Sequence, residues 1–268
     1  MSDSTGAPVA LVTGAARGIG AATTRRLRGQ GWRVVAVDSC GGDDDTSALG
    51  YPLATRADLD AVVSGLGPDA VAAVVDVRDR DGLQRVVDEA VERWGRVDAA
   101  VAAAAVILGG RSLWETPAAE LDLLWDVDVR GVWNTAAVTV PAMLAGPDPG
   151  RCRFVAVASA AGDRGLFHLS AYTMVKHAVV GLVKGLAADL VGTGVSAVAV
   201  SPGSTRTPML TATAALYDLA DAEELGGSQL IRRLIEPEEL AAAIAFCCSA
   251  DGVVLNGSVL HADGGFAG

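Results

Sequence analysis

Short runs of β-branched and small apolar residues recur along the chain, separated by longer Ala-, Leu- and Arg-rich stretches. The short runs are Val9 to Thr13, Arg33 to Asp38, Val71 to Asp76, Ala99 to Ala103, Phe154 to Ser159 and Val195 to Ser201. Their length and composition predict strands. Helices are expected between them at Ile19 to Arg28, Asp81 to Trp94, Pro117 to Met143, Ala171 to Val191 and Pro237 to Cys248, several opened by proline or acidic residues. Strand and helix in strict alternation imply an α/β fold: a doubly wound parallel sheet with right-handed crossovers that place helices on both faces.

Two stretches punctuate this order. Pro147, Pro149 and Gly150 mark a loop, and so do Gly41, Gly42 and the acids Asp43 to Asp45. The second belongs to a segment, Cys40 to Leu66, that is longer than a strand-to-helix connection needs, and its Ala54 to Val63 part has the composition of a short extra helix. It is expected to be an insertion, about 40–66, within one domain spanning 1–268.

Charge and composition narrow the partners. The 268 residues carry 21 basic and 32 acidic side chains, a net charge of −11, which works against attraction to nucleic acid or anionic lipid and favours a small-molecule substrate. The N-terminal sequence has no basic segment followed by an apolar one, and runs such as Val97 to Leu108 are too short to span a bilayer, so a cytoplasmic protein is expected. Cys40, Cys152, Cys247 and Cys248 have no paired CxxC spacing, and the adjacent pair would point to different faces of a helix. They are expected to be reduced, buried thiols, with no metal site.

The first strand runs into Thr13-Gly14-Ala15-Ala16-Arg17-Gly18-Ile19-Gly20, a glycine turn that opens the first helix. Glycines there let backbone amides and the positive end of the helix dipole approach a pyrophosphate. Asp38, at the end of the second strand, is placed to accept hydrogen bonds from the adenosine ribose and to repel a 2′-phosphate, which points to NAD. Arg17 is the dissenting residue, because a cation there could accommodate that phosphate.

Tyr172 and Lys176 stand four apart on a predicted helix and therefore share a face, and Ser159 ends an earlier predicted strand. A phenol is a weak base at neutral pH, but a neighbouring ammonium and a positive nicotinamide ring stabilise the phenolate. The Ser159 hydroxyl can hold a substrate oxygen.

Thr13 to Gly20, Asp38, Asp76-Val77, Ser159, Tyr172-x-x-x-Lys176, Pro202-Gly203 and the ending His261-Ala262-Asp263-Gly264-Gly265 occur in the order found in short-chain dehydrogenases/reductases. The chain resembles that family from Val9 to Gly265. The resemblance implies a Rossmann-type sheet, hydride transfer between NAD and a carbonyl or secondary alcohol, and a homotetramer. It also implies site roles. Tyr172 is the acid/base, Lys176 binds ribose and lowers the phenol's pKa, and Ser159 orients substrate. Gly14, Arg17, Gly18, Ile19, Gly20, Asp38, Ala103, Pro202, Gly203 and Thr205 join Tyr172 and Lys176 around the cofactor; Asp76 and Val77 border adenine, and Thr207 meets the carboxamide. A substrate lid is implied at about 204–235, with Leu216, Tyr217, Leu219 and Leu230 as apolar cover.

The chain departs from the family pattern twice. Ala102-Ala103-Ala104-Ala105 stands where the family has Asn-Asn-Ala-Gly, which removes side-chain hydrogen bonds bracing the central strands and glycine's room beside the cofactor. Asp128 stands where an asparagine helps hold a proton-relay water, and an ionised carboxylate accepts but does not donate, so the relay is expected to be altered. A narrower resemblance, to the mycofactocin-associated branch, rests on Asp38-Ser39-Cys40, Tyr51 to Leu59, Leu113 to Pro117 and Ser204 to Met209. It implies NAD kept in place under the insertion and reoxidised by mycofactocin, a peptide-derived carrier.

Trp114, Phe167, His168 and Leu169 lie on segments expected to approach the substrate, an apolar or aromatic secondary alcohol or its ketone. His168 is expected at the pocket or its rim, since Tyr172 already supplies a proton-transfer group. Two other readings stay open: a catalytically silent NAD-binding regulator, motivated by Ala102 to Ala105 and Asp128, and a non-redox dehydratase or epimerase using the same fold.

Overall fold

A computed structural model describes residues 6–42 and 49–267. Asp43 to Asp45 lie outside the described residues. Seven parallel strands form one sheet: β1 (Val9–Thr13), β2 (Arg33–Asp38), β3 (Ala70–Val74), β4 (Ala99–Ala102), β5 (Arg153–Val157), β6 (Ser196–Pro202) and β7 (Val259–Ala262), in the order β3-β2-β1-β4-β5-β6-β7. The helices are α1 (Gly18–Gly29), α2 (Arg56–Val63), α3 (Arg80–Trp94), α4 (Ala118–Leu124), α5 (Gly131–Ala145), α6 (Ser170–Asp189), α7 (Pro208–Leu216) and α8 (Pro237–Cys248). This is the Rossmann-type α/β arrangement.

Side chains alternate across the strands and feed two cores. Leu11, Val35, Ala100, Phe154 and Ala197 pack against Leu83 and Val87 of α3, Val132 and Met143 of α5, and Val179 and Val183 of α6. Their neighbours Ala10, Val12, Val34, Val101, Val155 and Val198 face the other way, onto Leu27 of α1, Leu59 of α2 and Ile244 and Ala245 of α8. Both faces are covered, as an all-parallel sheet requires. Cys247 and Cys248 are both buried despite their divergent directions. All four cysteines are free thiols, and Cys152 is buried as well, but Cys40, expected to be buried, is only partly so.

Several expected boundaries move. β3 stops at Val74, so Asp76 and Val77 lie in the turn beyond it. β5 stops at Val157, and Ser159, expected at the strand's end, instead caps a one-turn 3-10 helix, accepting the Ala161 amide at 3.1 Å. The predicted helix from Pro117 to Met143 is interrupted by a wide π turn, Trp125–Arg130, between α4 and α5. β7 is an additional strand; it is short, partly exposed and at the sheet edge, so it lacks the apolar run that announces the others. Among the described residues no helix is long and apolar enough to cross a membrane.

Candidate active site

The order of strands reverses direction between β1 and β4, and the chain ends leaving the two strands diverge there to open a cleft at the carboxyl edge of the sheet. The cleft continues into a cavity of about 470 Å³, within the range of small-molecule sites. At one end it is walled by the turn between β1 and α1. Gly14 has φ +65°, and a β-carbon on it would come within 2.8 Å of the Ala104 backbone; one on Gly20 would lie 2.1 Å from the Gly14 carbonyl oxygen. The close packing of turn, helix and β4 is therefore available only to glycine. No side chain caps the first turn of α1, and that turn holds no acid, so its amides face the cavity available to an anion.

Asp38 lines the same wall, its carboxylate accepting from the Ala16 amide and the Cys40 amide at 3.1 Å each. Arg17 pairs with Asp58 of α2 at 2.7 Å and donates to the Pro52 carbonyl at 3.4 Å. Asp76 and Val77 border the cavity. Asp76 is gripped by Arg78, with the closest contact 2.6 Å; although burial opposes its charge, those hydrogen bonds hold its carboxyl below the usual range. The Val77 carbonyl accepts from Asn134 of α5 at 2.9 Å, which fixes this turn. The Asn134 signal was absent from the motif because its partner is a backbone atom 57 residues away.

Gly14, Arg17, Gly18, Ile19, Gly20, Ala103, Pro202, Gly203, Thr205 and Thr207 all line the cavity. The Thr13 hydroxyl accepts from the Ala103 and Ala104 backbone amides at 3.1 and 3.2 Å, a brace that needs no side chain at either alanine. Strand β4 thus keeps a brace from β1.

At the other end of the cavity stand Ser159, Tyr172 and Lys176. One turn of α6 separates Tyr172 from Lys176, whose Nζ lies 5.5 Å from the phenol ring centre. Burial pushes the Tyr172 phenol up from its ordinary value, Lys176 and Ser159 pull it down, and Asp128 adds to the rise. Asp128 is not in the cavity wall; it lies wholly buried behind Lys176, with Oδ2 3.0 Å from Nζ and Oδ1 accepting the Val106 amide at 2.9 Å. The π turn presents it there, and such turns are frequent at functional sites. Burial works against the Lys176 ammonium, but Asp128 and Tyr172 outweigh it and hold the charge.

The apolar end is lined by Leu123, Leu166, Phe167, Leu169, Met209 and Tyr217 among others. Trp114 does not join them: it is 83% exposed. His168 stacks on Phe167 at 3.7 Å outside the lining, a rim residue as expected. One further lining residue, Tyr51, comes from the stretch before α2 and accepts the Ile107 amide at 2.9 Å. It lay within the motif for the narrower resemblance, but nothing in its local pattern reveals a partner 56 residues away.

A family model described as enoyl-(acyl carrier protein) reductase matches residues 14–267. The chain belongs to the short-chain dehydrogenase/reductase family. It is an oxidoreductase of that family, and its relatives span much of its length. The (−)-trans-carveol dehydrogenase of Rhodococcus erythropolis is 38% identical over 205 residues, 75% of this chain and 72% of that protein. An uncharacterized NAD-dependent oxidoreductase of Mycobacterium tuberculosis is 37% identical over 205 residues, 75% of this chain and 73% of the relative. The crystal structure of carveol dehydrogenase from Mycobacterium avium in complex with NAD superposes with a TM-score of 0.89 at 29% identity, covering 97% of each chain.

Proposed function

We propose that this protein interconverts a small, apolar, cyclic secondary alcohol and its ketone with NAD, using Tyr172 as acid/base. The observation that carries the reading is the convergence of Ser159, Tyr172 and Lys176 at one end of a cavity whose other end is the glycine turn and Asp38. The glycine-only cradle and the uncapped first turn of α1 fit a pyrophosphate. Asp38, held by two amides, fits a ribose diol, and the neutralisation of Arg17 by Asp58 favours NAD over its 2′-phosphorylated form. NAD, when bound, supplies the hydride acceptor or donor.

The residues divide the remaining work. Ser159 holds the substrate oxygen and Tyr172 takes the hydroxyl proton in oxidation or returns it in reduction. Lys176 stabilises the phenolate, and Asp128 holds Lys176 in place from behind. The lid at about 204–235 closes the apolar end: Thr207 caps α7, Tyr217 donates to the Phe167 carbonyl at 2.7 Å, and Ala267 of the C-terminal segment donates to the Ser228 carbonyl at 2.8 Å. The apolar lining and the carveol dehydrogenases among the relatives support a cyclic apolar alcohol. The whole chain acts as one domain.

Replacing Tyr172 with phenylalanine tests the assignment. The variant is expected to bind NAD as before and to lose (−)-trans-carveol oxidation by about a thousandfold, the scale of positioned acid/base catalysis; an undiminished rate rejects it. A purified protein that binds NAD and turns over no alcohol would be the silent regulator, and conversion without transient NADH absorbance would be the non-redox enzyme.

A second reading is supported by the segment before α2. Pro52, Leu53 and Ala54 wall the cavity beside Asp38, and Arg17 ties this segment to the glycine turn. A nucleotide beneath it exchanges slowly, which favours a resident NAD reoxidised in place by mycofactocin. NAD that survives dialysis and is detected by mass spectrometry supports this; free exchange counts against it. Trp125, Trp133 and Leu144 along α4 to α5 are exposed apolar side chains that suit burial in a homotetramer, checked by sedimentation.

A further inference from the structure

The stretch from Leu49 to Asp58 does more than border the nucleotide end of the cavity. Leu53 donates to the Gly42 carbonyl at 3.1 Å and Gly42 to the Ala54 carbonyl at 3.0 Å, which closes its neck. From that neck two anchors extend in different directions. One is the Arg17 contact with Asp58 and Pro52, at the glycine turn. The other runs across the cleft: Leu49 is buried in the apolar group that contains Leu108, Leu124, Leu169 and Tyr172, and the Tyr51 hydroxyl accepts the Ile107 amide.

Ile107 sits next to Val106, and the Val106 amide is the hydrogen-bond donor to Asp128. Consecutive amides of the segment leaving β4 are therefore held by two side chains, one from the covering stretch and one from the π turn. Asp128 in turn pairs with Lys176, which neighbours Tyr172. The Tyr51 phenol is pushed up by burial, with the nearby Asp128 and Tyr172 charges adding to the effect, so it stays a neutral hydrogen-bonding group at any working pH. A neutral acceptor can satisfy the Ile107 amide without adding charge to a group already crowded with Asp128, Lys176 and Tyr172.

We propose that Tyr51 is a positioning residue of the catalytic group: by holding the Ile107 amide it fixes the segment that sets Val106 against Asp128, and so Lys176 against Tyr172. Closure of the cover and assembly of the proton-transferring residues are then one event. Lifting the stretch from Leu49 to Asp58 releases the nucleotide end and slackens the catalytic end together. The inference rests on the alcohol dehydrogenase reading for its kinetic consequence, but not for the structural coupling.

Tyr51→Phe removes one oxygen and keeps the ring. With (−)-trans-carveol and NAD, kcat is expected to fall about tenfold, the effect of one lost buried hydrogen bond, while KM stays within about twofold. Hydrogen exchange at the Val106 amide, which Tyr51 does not touch, is expected to quicken about tenfold for the same reason. Asp128→Asn gives the decisive background: if Tyr51 acts through Asp128, adding Tyr51→Phe to it changes kcat by less than about twofold. Multiplying effects in the double variant, or unaltered Val106 exchange in Tyr51→Phe, would overturn the proposal. If the unsubstituted protein leaves carveol untouched, the substrate reading fails, and the Val106 exchange still decides whether Tyr51 holds the segment.

Discussion

The position with the largest chemical consequence is Asp128. An amide there would be neutral, whereas the carboxylate is buried 3.0 Å from the Lys176 ammonium. The groups facing it are Lys176 and Tyr172 from α6 and Tyr51 from the covering stretch. Its charge raises the Tyr172 phenol, against the pull of Lys176. With Lys176 still held charged, Asp128→Asn removes a negative neighbour of the phenol and favours phenolate at lower pH. The acid limb of kcat for alcohol oxidation should move to lower pH in that variant, measured as rate against pH at saturating alcohol. Ser159, Tyr172 and Lys176 were legible because helical spacing puts Tyr172 and Lys176 on one face and the motif order supplies Ser159. The Asp128 to Lys176 pairing was not, since it depends on how the π turn seats against α6.

At the scale of elements, the short helix α2 works as a clip. Thr55 and Asp58 form a reciprocal capping box at its start, and Asp58 also receives Arg17. The Thr55 backbone and hydroxyl, then Arg17, hold the Asp58 carboxyl down to about 2. A carboxyl lowered in the fold contributes stability above its unfolded value and loses it as pH falls through about 2, so the clip is intact at every physiological pH. Thr55→Ala should weaken α2 by about 1 kcal/mol, the usual worth of such a cap. The expected readout is faster hydrogen exchange confined to residues 49–63, with melting temperature nearly unchanged. Composition of Ala54 to Val63 foretold a helix here, but its partner did not follow from composition: Arg17 and Asp58 meet only because β2 and α1 bring the two ends of the cleft together. The interrupted helix around Trp125 has the same explanation, because π geometry is dictated by what Asp128 must reach, not by the local apolar period.

At the scale of the whole molecule, the strand order determines where chemistry can happen. β1 and β4 are neighbours, their crossovers leave on opposite faces, and the cavity opens where they part. The sheet that holds this opening depends on its packed interior. Phe154 of β5 is fully buried in the core shared by α3, α5 and α6. Phe154→Ala should cost about 3–5 kcal/mol in unfolding free energy, read by denaturant titration, by leaving a cavity that the close-packed helices cannot fill.

What the sequence determined by itself was every property carried by short-range pattern. Apolar runs separated by helical stretches set the α/β class, glycine spacing set the tight turn into α1, and four-residue spacing set Tyr172 beside Lys176, because backbone sterics and helix periodicity act within a few residues. Tertiary structure alone decided that Arg17 is claimed by Asp58, that Thr13 braces the backbone after β4, that Trp114 is exposed and that Tyr51 lines the cavity. Each of those depends on which distant segments burial forces together, and a hydrogen bond spanning 56 residues leaves no period in the chain between its ends.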